Sequence, residues 1–248
     1  MEKSKVYEDG PEIVELNCGG GVMLKLKRIE PGSFMMGDSV DGPIHEVTFS
    51  KPFYMGIYLV TQEQYVAVNR KHKNPSYIGD PSHYSHVSRD EAKRYPVERV
   101  IWDEARLFCR TLSKKTGKKL GLPSEAQWEY ACRAGMEGDY IGDLDAMAWR
   151  QYSSEESSHP VGMKQPNAWG LYDMLGLVWE WCADKWHWDY EGAPTDGSAW
   201  SSGGDLLRVR RGGSYETPAL HCRPAYRRSI RSDIRSMYLG FRLVMTVS

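Results

Sequence analysis

Thiols, imidazoles and the basic, aromatic end of the chain are the groups through which this protein could do chemistry. The five cysteines, Cys18, Cys109, Cys132, Cys182 and Cys222, form no CxxC pair, so neither a zinc ribbon nor a dense disulfide framework is read from them. Their odd count leaves at least one thiol free. Cys109, Cys132 and Cys182 stand among Phe, Tyr, Ala or Trp, where cysteine packs as a small hydrophobe. His45, His83, His86 and His159 show no metal-ligand spacing and read as structural. The stretch from Arg208 to Ser248 is different. There Arg211-Gly212-Gly213-Ser214-Tyr215 and Leu239-Gly240-Phe241-Arg242-Leu243-Val244 enclose about two dozen residues with no steady period of two or 3.6. A predictable frame around an aperiodic insert points to a displayed surface. Its Tyr and Arg residues suit binding, since each buries area while keeping a polar handle.

The chain of 248 residues, 41% of them hydrophobic, is long enough for a sizeable core. Twenty-four glycines, nine tryptophans and fifteen tyrosines favour a loop-rich fold pinned by aromatics over a helical bundle. A formal net charge of −1 provides no global field towards nucleic acid or an anionic membrane. No apolar run approaches the roughly 18 residues of a membrane span, and Met1 opens no charged-then-apolar leader. A cell-surface or extracellular location is expected if a leader has been removed.

Several elements must hold the terminal stretch. Residues 1 to 20 read as an extended lead-in. Val22 to Ile29 alternates apolar with Lys and Arg, the pattern of a half-exposed strand. Further strand-like runs occupy Ser33 to Gly37 and His45 to Phe53, divided by an Asp41-Gly42-Pro43 turn. Thr61 with Gln64 forms a capping box that starts a helix running to about Asn69. Asp103 is placed to cap a second helix, with Ala105, Leu107, Phe108 and Leu112 as its apolar stripe and Gly117 as its stop. Ser124 with Gln127 starts a third, ending at Gly135. Residues 70 to 98 read as a long surface loop. After Gly135 regular structure thins out, and tryptophans are expected to plug the loops.

Six motifs in order carry a resemblance: Pro31-Gly32-Ser33-Phe34-Met35-Met36-Gly37, Leu122-Pro123-Ser124-Glu125-Ala126-Gln127-Trp128-Glu129-Tyr130-Ala131, Asn167-Ala168-Trp169-Gly170-Leu171-Tyr172-Asp173-Met174, Val178-Trp179-Glu180-Trp181, Arg211-Gly212-Gly213-Ser214 and Leu239-Gly240-Phe241-Arg242. Together they resemble the formylglycine-generating-enzyme (sulfatase-modifying factor) family. The resemblance implies an α+β, C-type-lectin-like fold with little regular secondary structure, here one domain over residues 21 to 248 with a variable segment at 215 to 238. The family's oxidases bind copper through two cysteines after the GGS frame, spaced five apart. Here the second is Cys222 and the first is Thr217. A hydroxyl does not replace a soft thiolate on Cu(I), so the copper site is read as broken. The family also holds a calcium ion near the WEW motif, and Asp173, Gly176, Val178 and Glu180 match those ligands, a hard-oxygen set suited to it. The usual Asn before Val178 is Leu177. No other cofactor is implied.

A non-catalytic branch is similar in more detail. In variable proteins of diversity-generating retroelements, adenine-directed mutagenesis rewrites a segment between RGGSW and LGFR, around a fixed CR. Arg211 to Tyr215, Cys222-Arg223, Arg227 and Leu239 to Arg242 match the fixed positions. Between them stand Thr217, Pro218, Leu220, His221, Tyr226, Arg228, Ser229, Ile230, Ser232, Ile234, Ser236 and Tyr238, each reachable from an Asn codon by changing its two adenines. Glu216 and Met237 are not. The resemblance implies a ligand-binding monomer, not an enzyme, whose hypervariable face meets a variable protein or cell-surface ligand. Several arginines, Arg223 and Arg227 with Arg231 and Arg235, are expected to pair inward. The alternative is a copper-dependent oxidase that keeps Ser214 and Cys222. A carbohydrate-binding module rests on fold analogy alone.

Overall fold

A computed structural model describes residues 10–40, 42–70, 72–80, 82–83, 87–139, 141–154, 157–203 and 206–247. His86 and Asp41 lie outside the described residues. The chain opens with β1 (Ile13–Gly19), β2 (Val22–Ile29), β3 (Gly32–Met36), β4 (His45–Phe49) and β5 (Phe53–Gly56). Then come α1 (Gln62–Val68), α2 (Arg89–Ala92), α3 (Trp102–Thr116), β6 (Leu120–Gly121), α4 (Glu125–Arg133) and α5 (Leu144–Met147). The last part holds β7 (Trp179–Lys185), β8 (Leu207–Arg211), β9 (Arg227–Arg231), β10 (Leu239–Gly240) and β11 (Val244–Thr246). An α+β fold with short strands and few helices results, as expected.

Three sheets form. One has the order β1-β2-β5-β11-β6, a second has β10-β7-β8-β9, and β3 with β4 makes a separate hairpin. The run from His45 to Phe53 is broken because Pro52 has no N–H to give to a ladder. The chain leaves the hairpin at Phe49 and enters the five-stranded sheet at Phe53. Ile13–Gly19, read as part of a lead-in, is a strand paired in register with β2.

Local capping signals hold where they are self-contained. Thr61 and Ser124 each accept from the backbone of the residue three along, and the Gln64 and Gln127 side chains return the bond. Asp103 does not cap α3. The N-cap is Ile101, whose N–H is taken by Glu104, while the first helical N–H, that of Trp102, donates to the Ser232 carbonyl at 3.0 Å. The helix start is thus capped by the C-terminal insert. Gly117 stops α3 in the left-handed region, and α4 stops one residue before the expected glycine, at Ala134. Residues 70 to 98 are not all surface: Ser76, Ile78, Val97 and Glu98 are buried.

The four-stranded sheet is covered on both faces, which is why Trp179-Glu180-Trp181-Cys182 is buried at every position. Trp179 and Trp181 pack with α3, Phe108 and Phe241. Cys182 and Val209 pack with Trp128 and Tyr130 of α4 on the other side. Trp128 and Trp181 are fully buried plugs, whereas Trp188 is 86% exposed. All five cysteines are buried and free.

Candidate ligand-binding face

The C-terminal stretch is held by arginines whose carboxylates come from distant motifs. Arg227 donates to both oxygens of Glu125, at 2.7 and 2.8 Å, and to the His187 carbonyl at 2.8 Å. Arg211 pairs with Glu129 and lies 3.5 Å from Glu125. Arg242 binds both oxygens of Glu180 at 2.7 and 2.9 Å, and adds the Gly56 and Tyr172 carbonyls. Arg223 pairs with Asp38 and donates to the Leu220 carbonyl at 2.9 Å. All four guanidinium groups are buried, where each needs this complement because an unpaired charge would be costly. Burial pushes the Glu125 carboxyl up, but Arg227 and Arg211 more than offset it and hold it below its ordinary value. Of the arginines expected to pair inward, Arg223 and Arg227 do. Arg231 and Arg235 pair at the surface instead, with Asp233 and Glu104.

The turn after Arg211 is fixed by its glycines. Gly212 has φ +96°, and a Cβ there would stand 3.1 Å from both the Met174 carbonyl oxygen and the Trp128 ring. Ser214 N–H then donates to Thr217 Oγ1 at 2.8 Å, and Gln151 N–H to the Thr217 carbonyl at 3.1 Å. Thr217 is 7% exposed. Its hydroxyl is committed to closing the turn. Cys222 is fully buried with its thiol 3.8 Å from the Thr217 carbonyl oxygen, and burial pushes that thiol up to about 12. A protonated thiol facing a carbonyl is a packing group, and no second sulfur stands at Thr217 to share a soft metal with it.

The twelve positions read as a ligand face separate by depth. Pro218, Leu220, Arg228 and Ile234 are exposed, and His221, Ser229, Ile230, Ser232, Ser236 and Tyr238 are half-buried. Thr217 and Tyr226 are buried, which removes them from the displayed surface. Tyr226 lies 5.8 Å from the Trp179 ring and stacks on His221 at 4.4 Å. The exposed residues sit on edge strand β9 and on the segments flanking it, including a 3₁₀ turn at Ala219–His221.

The calcium ligands implied by the resemblance meet a different arrangement. Both Glu180 oxygens are occupied by Arg242, a cation of the chain's own. Asp173 Oδ2 accepts from the Gly162 N–H at 2.7 Å, and Oδ1 is buried without a hydrogen-bond partner among the described residues. Gly176 and Leu177 give their N–H groups to the Gly212 and Trp149 carbonyls. No group of three or more His, Cys, Asp or Glu side chains converges among the described residues. Glu180 is thus committed to Arg242 and does not offer free oxygens to a calcium ion.

Residues 24–247 match the model of the sulfatase-modifying factor enzyme 1-like domain. The chain belongs to that family. Formylglycine-generating enzyme from mouse is 28% identical over 84% of this chain and 55% of its own length. An inactive Cα-formylglycine-generating enzyme 2 from Bos taurus is 27% identical over 92% of this chain and 90% of its own. The chain spans about half the length of the first curated relatives it matches. Among solved structures, Treponema denticola variable protein 1 superposes with a TM-score of 0.84 at 28% identity, covering 95% of this chain and 99% of that one. PvdO from Pseudomonas aeruginosa does so at 0.83 and 30%, covering 97% and 100%. The family's scaffold is therefore present throughout, and its members include both named enzymes and a named inactive protein.

Proposed function

We propose that this chain is a non-catalytic, ligand-binding member of the family, with a C-terminal face diversified by a retroelement for recognition of variable protein or cell-surface ligands. The observation that carries the reading is Thr217: at the place of the first copper cysteine stands a hydroxyl spent on the Ser214 turn. The likeness to Treponema denticola variable protein 1 supports it. A frame of buried ion pairs anchors the stretch at both ends, so residues between can change without loss of the core. The near-neutral charge speaks against nucleic acid as partner, and we take the working form to be a monomer at the cell surface or outside the cell.

Copper titration combined with oxygen-consumption measurement separates this from the oxidase alternative. No stoichiometric copper binding and no turnover are expected. Tight stoichiometric binding with oxygen uptake would return the chain to the catalytic branch. A neighbouring reverse-transcriptase gene, with an adenine-rich near-copy of the DNA encoding residues 211 to 244, is the expected genomic context.

A further inference from the structure

Strand β1 is an edge of the five-stranded sheet and pairs only with β2. The Arg28 N–H donates to the Glu12 carbonyl at 2.8 Å, and the same register sets Val14 against Leu26 and Leu16 against Leu24. Hydrogen-bonded and non-hydrogen-bonded pairs alternate along an antiparallel ladder. The N–H and C=O groups of Ile13, Glu15 and Asn17 therefore point away from β2, and they meet no partner among the described residues. Natural sheets blunt such edges with bulges and lysines. Here both devices act at one end only, where the ladder shifts between Asn17 and Gly19 and Lys115 donates to the Cys18 carbonyl at 2.5 Å. Ile13, towards the other end, is 45% exposed. Beside this edge runs a cleft of about 1060 Å³, between β1, the end of α1 and the second half of α3. Leu16, Val68 and Leu107 give it an apolar lining. Leu107 fits the apolar stripe of α3 in sequence, yet it is only half-buried and joins none of the core clusters. Arg70, Lys115 and Lys118 line the same cleft, and none of them makes an ion pair among the described residues. A Cβ at Gly19 would meet the Lys115 ammonium and stand 3.4 Å from Arg70 Nη2, so two of these cations converge where the strand ends. Glu15 is the only acid among the described lining residues, and it pairs with Lys25 at 3.1 Å.

We propose that the β1 edge and its cleft take an extended, acidic segment of a partner protein, which adds to the sheet as a further strand. Main-chain bonds to Ile13, Glu15 and Asn17 supply affinity, and alternate side chains of the segment enter the cleft, the division of labour in strand addition. Val68 and Leu107 receive its apolar residues. The cationic rim favours Asp or Glu beside them and disfavours a basic segment, because charge complementarity decides between partners of equal shape. The edge belongs to a different sheet from the insert, so this partner docks without using the C-terminal face.

The test is fluorescence anisotropy of the whole chain with a labelled peptide of repeated Glu-Glu-Val-Val. Wild type should bind, less tightly as salt rises. E15P removes one outward N–H where an edge strand tolerates proline, and should lose about tenfold or more in affinity. R70Q/K118Q, at two exposed residues, should weaken binding and flatten its salt dependence. R231Q, on the other sheet, should bind like wild type. A peptide methylated at every backbone amide keeps the side chains but cannot pair as a strand, so it probes the same contact in unaltered protein and should not bind. No binding of the plain peptide, equal affinity of the methylated one or of E15P, or tighter binding of a peptide with Lys in place of Glu would overturn the proposal. So would a concentration-dependent dimer that excludes the peptide, since the edge would then belong to a second copy of the chain.

Discussion

Replacing Glu125 by Gln should cost more stability than any change on the exposed face. Glu125 is 3% exposed, accepts two hydrogen bonds from Arg227, lies 3.5 Å from Arg211 and receives the Tyr190 hydroxyl at 3.1 Å. The amide keeps the shape but removes the charge, and its NH₂ group confronts an Arg227 donor. Arg227 would keep one amide oxygen and the His187 carbonyl as acceptors but no carboxylate to neutralise it. Breaking a buried pair in this way costs about 3–5 kcal/mol, which for a domain of this size corresponds to a melting-point fall of about 6 to 20 °C. Because the folded Glu125 carboxyl is held below its ordinary value, its contribution is present above the unfolded value and lost only as pH falls through the folded one. The deficit of E125Q should be smaller at pH 8 than at pH 6, because the Asp184 carboxyl, pushed up to about 7 by burial and then by the Glu125 charge, ionises at less cost once that charge is gone. Calorimetric or fluorescence-detected melting measures it. The double variant E125Q/R227M, which removes the stranded charge as well, should recover part of the loss. A fall below about 1 kcal/mol for E125Q, or a double variant worse than the single by the full value of R227M, would refute the view that these pairs anchor the stretch.

Burial pushes the Glu98 carboxyl up to about 7 against the N–H bonds of Tyr77 and Ile78. A carboxyl raised on folding contributes stability that is present below its unfolded value and lost as pH rises through about 7. E98Q should accordingly match wild type near pH 5 and exceed it at pH 8 by up to about 3 kcal/mol, as read from denaturant melts. Gly176 has φ +78°, and a Cβ there would fall 2.0 Å from the Trp149 carbonyl oxygen, so G176A should yield little soluble, cooperatively unfolding protein. The triple variant L220A/R228A/I234A changes exposed residues and should melt within about 1 kcal/mol of wild type.

The sequence made the scaffold legible where signals are local. The capping boxes at Thr61 and Ser124 and the alternation of Val22 to Ile29 involve neighbours a few residues apart, and these elements stand where the pattern puts them. Asp103 misled because α3 is capped by Ser232, a contact made only after the chain closes on itself. The arginines of the terminal frame were readable as inward-facing, but their partners were not. Glu125 lies 102 positions from Arg227 and Asp38 lies 185 from Arg223, and charge alone does not choose among so many acids. Thr217 and Tyr226 met the codon criterion yet are buried, since adjacency to the frame sets their depth.

The division between a rigid frame and a tolerant face is tested most directly by protease resistance of a displayed library. Codons for Pro218, Leu220, Arg228, Ser229, Ser232 and Ile234 would be randomised together, with a second library at Arg211, Arg227 and Arg242. Most members of the first library are expected to resist proteolysis as wild type does, and few of the second. Equal sensitivity of the two libraries would contradict the account, because the supposed face would then be part of the core.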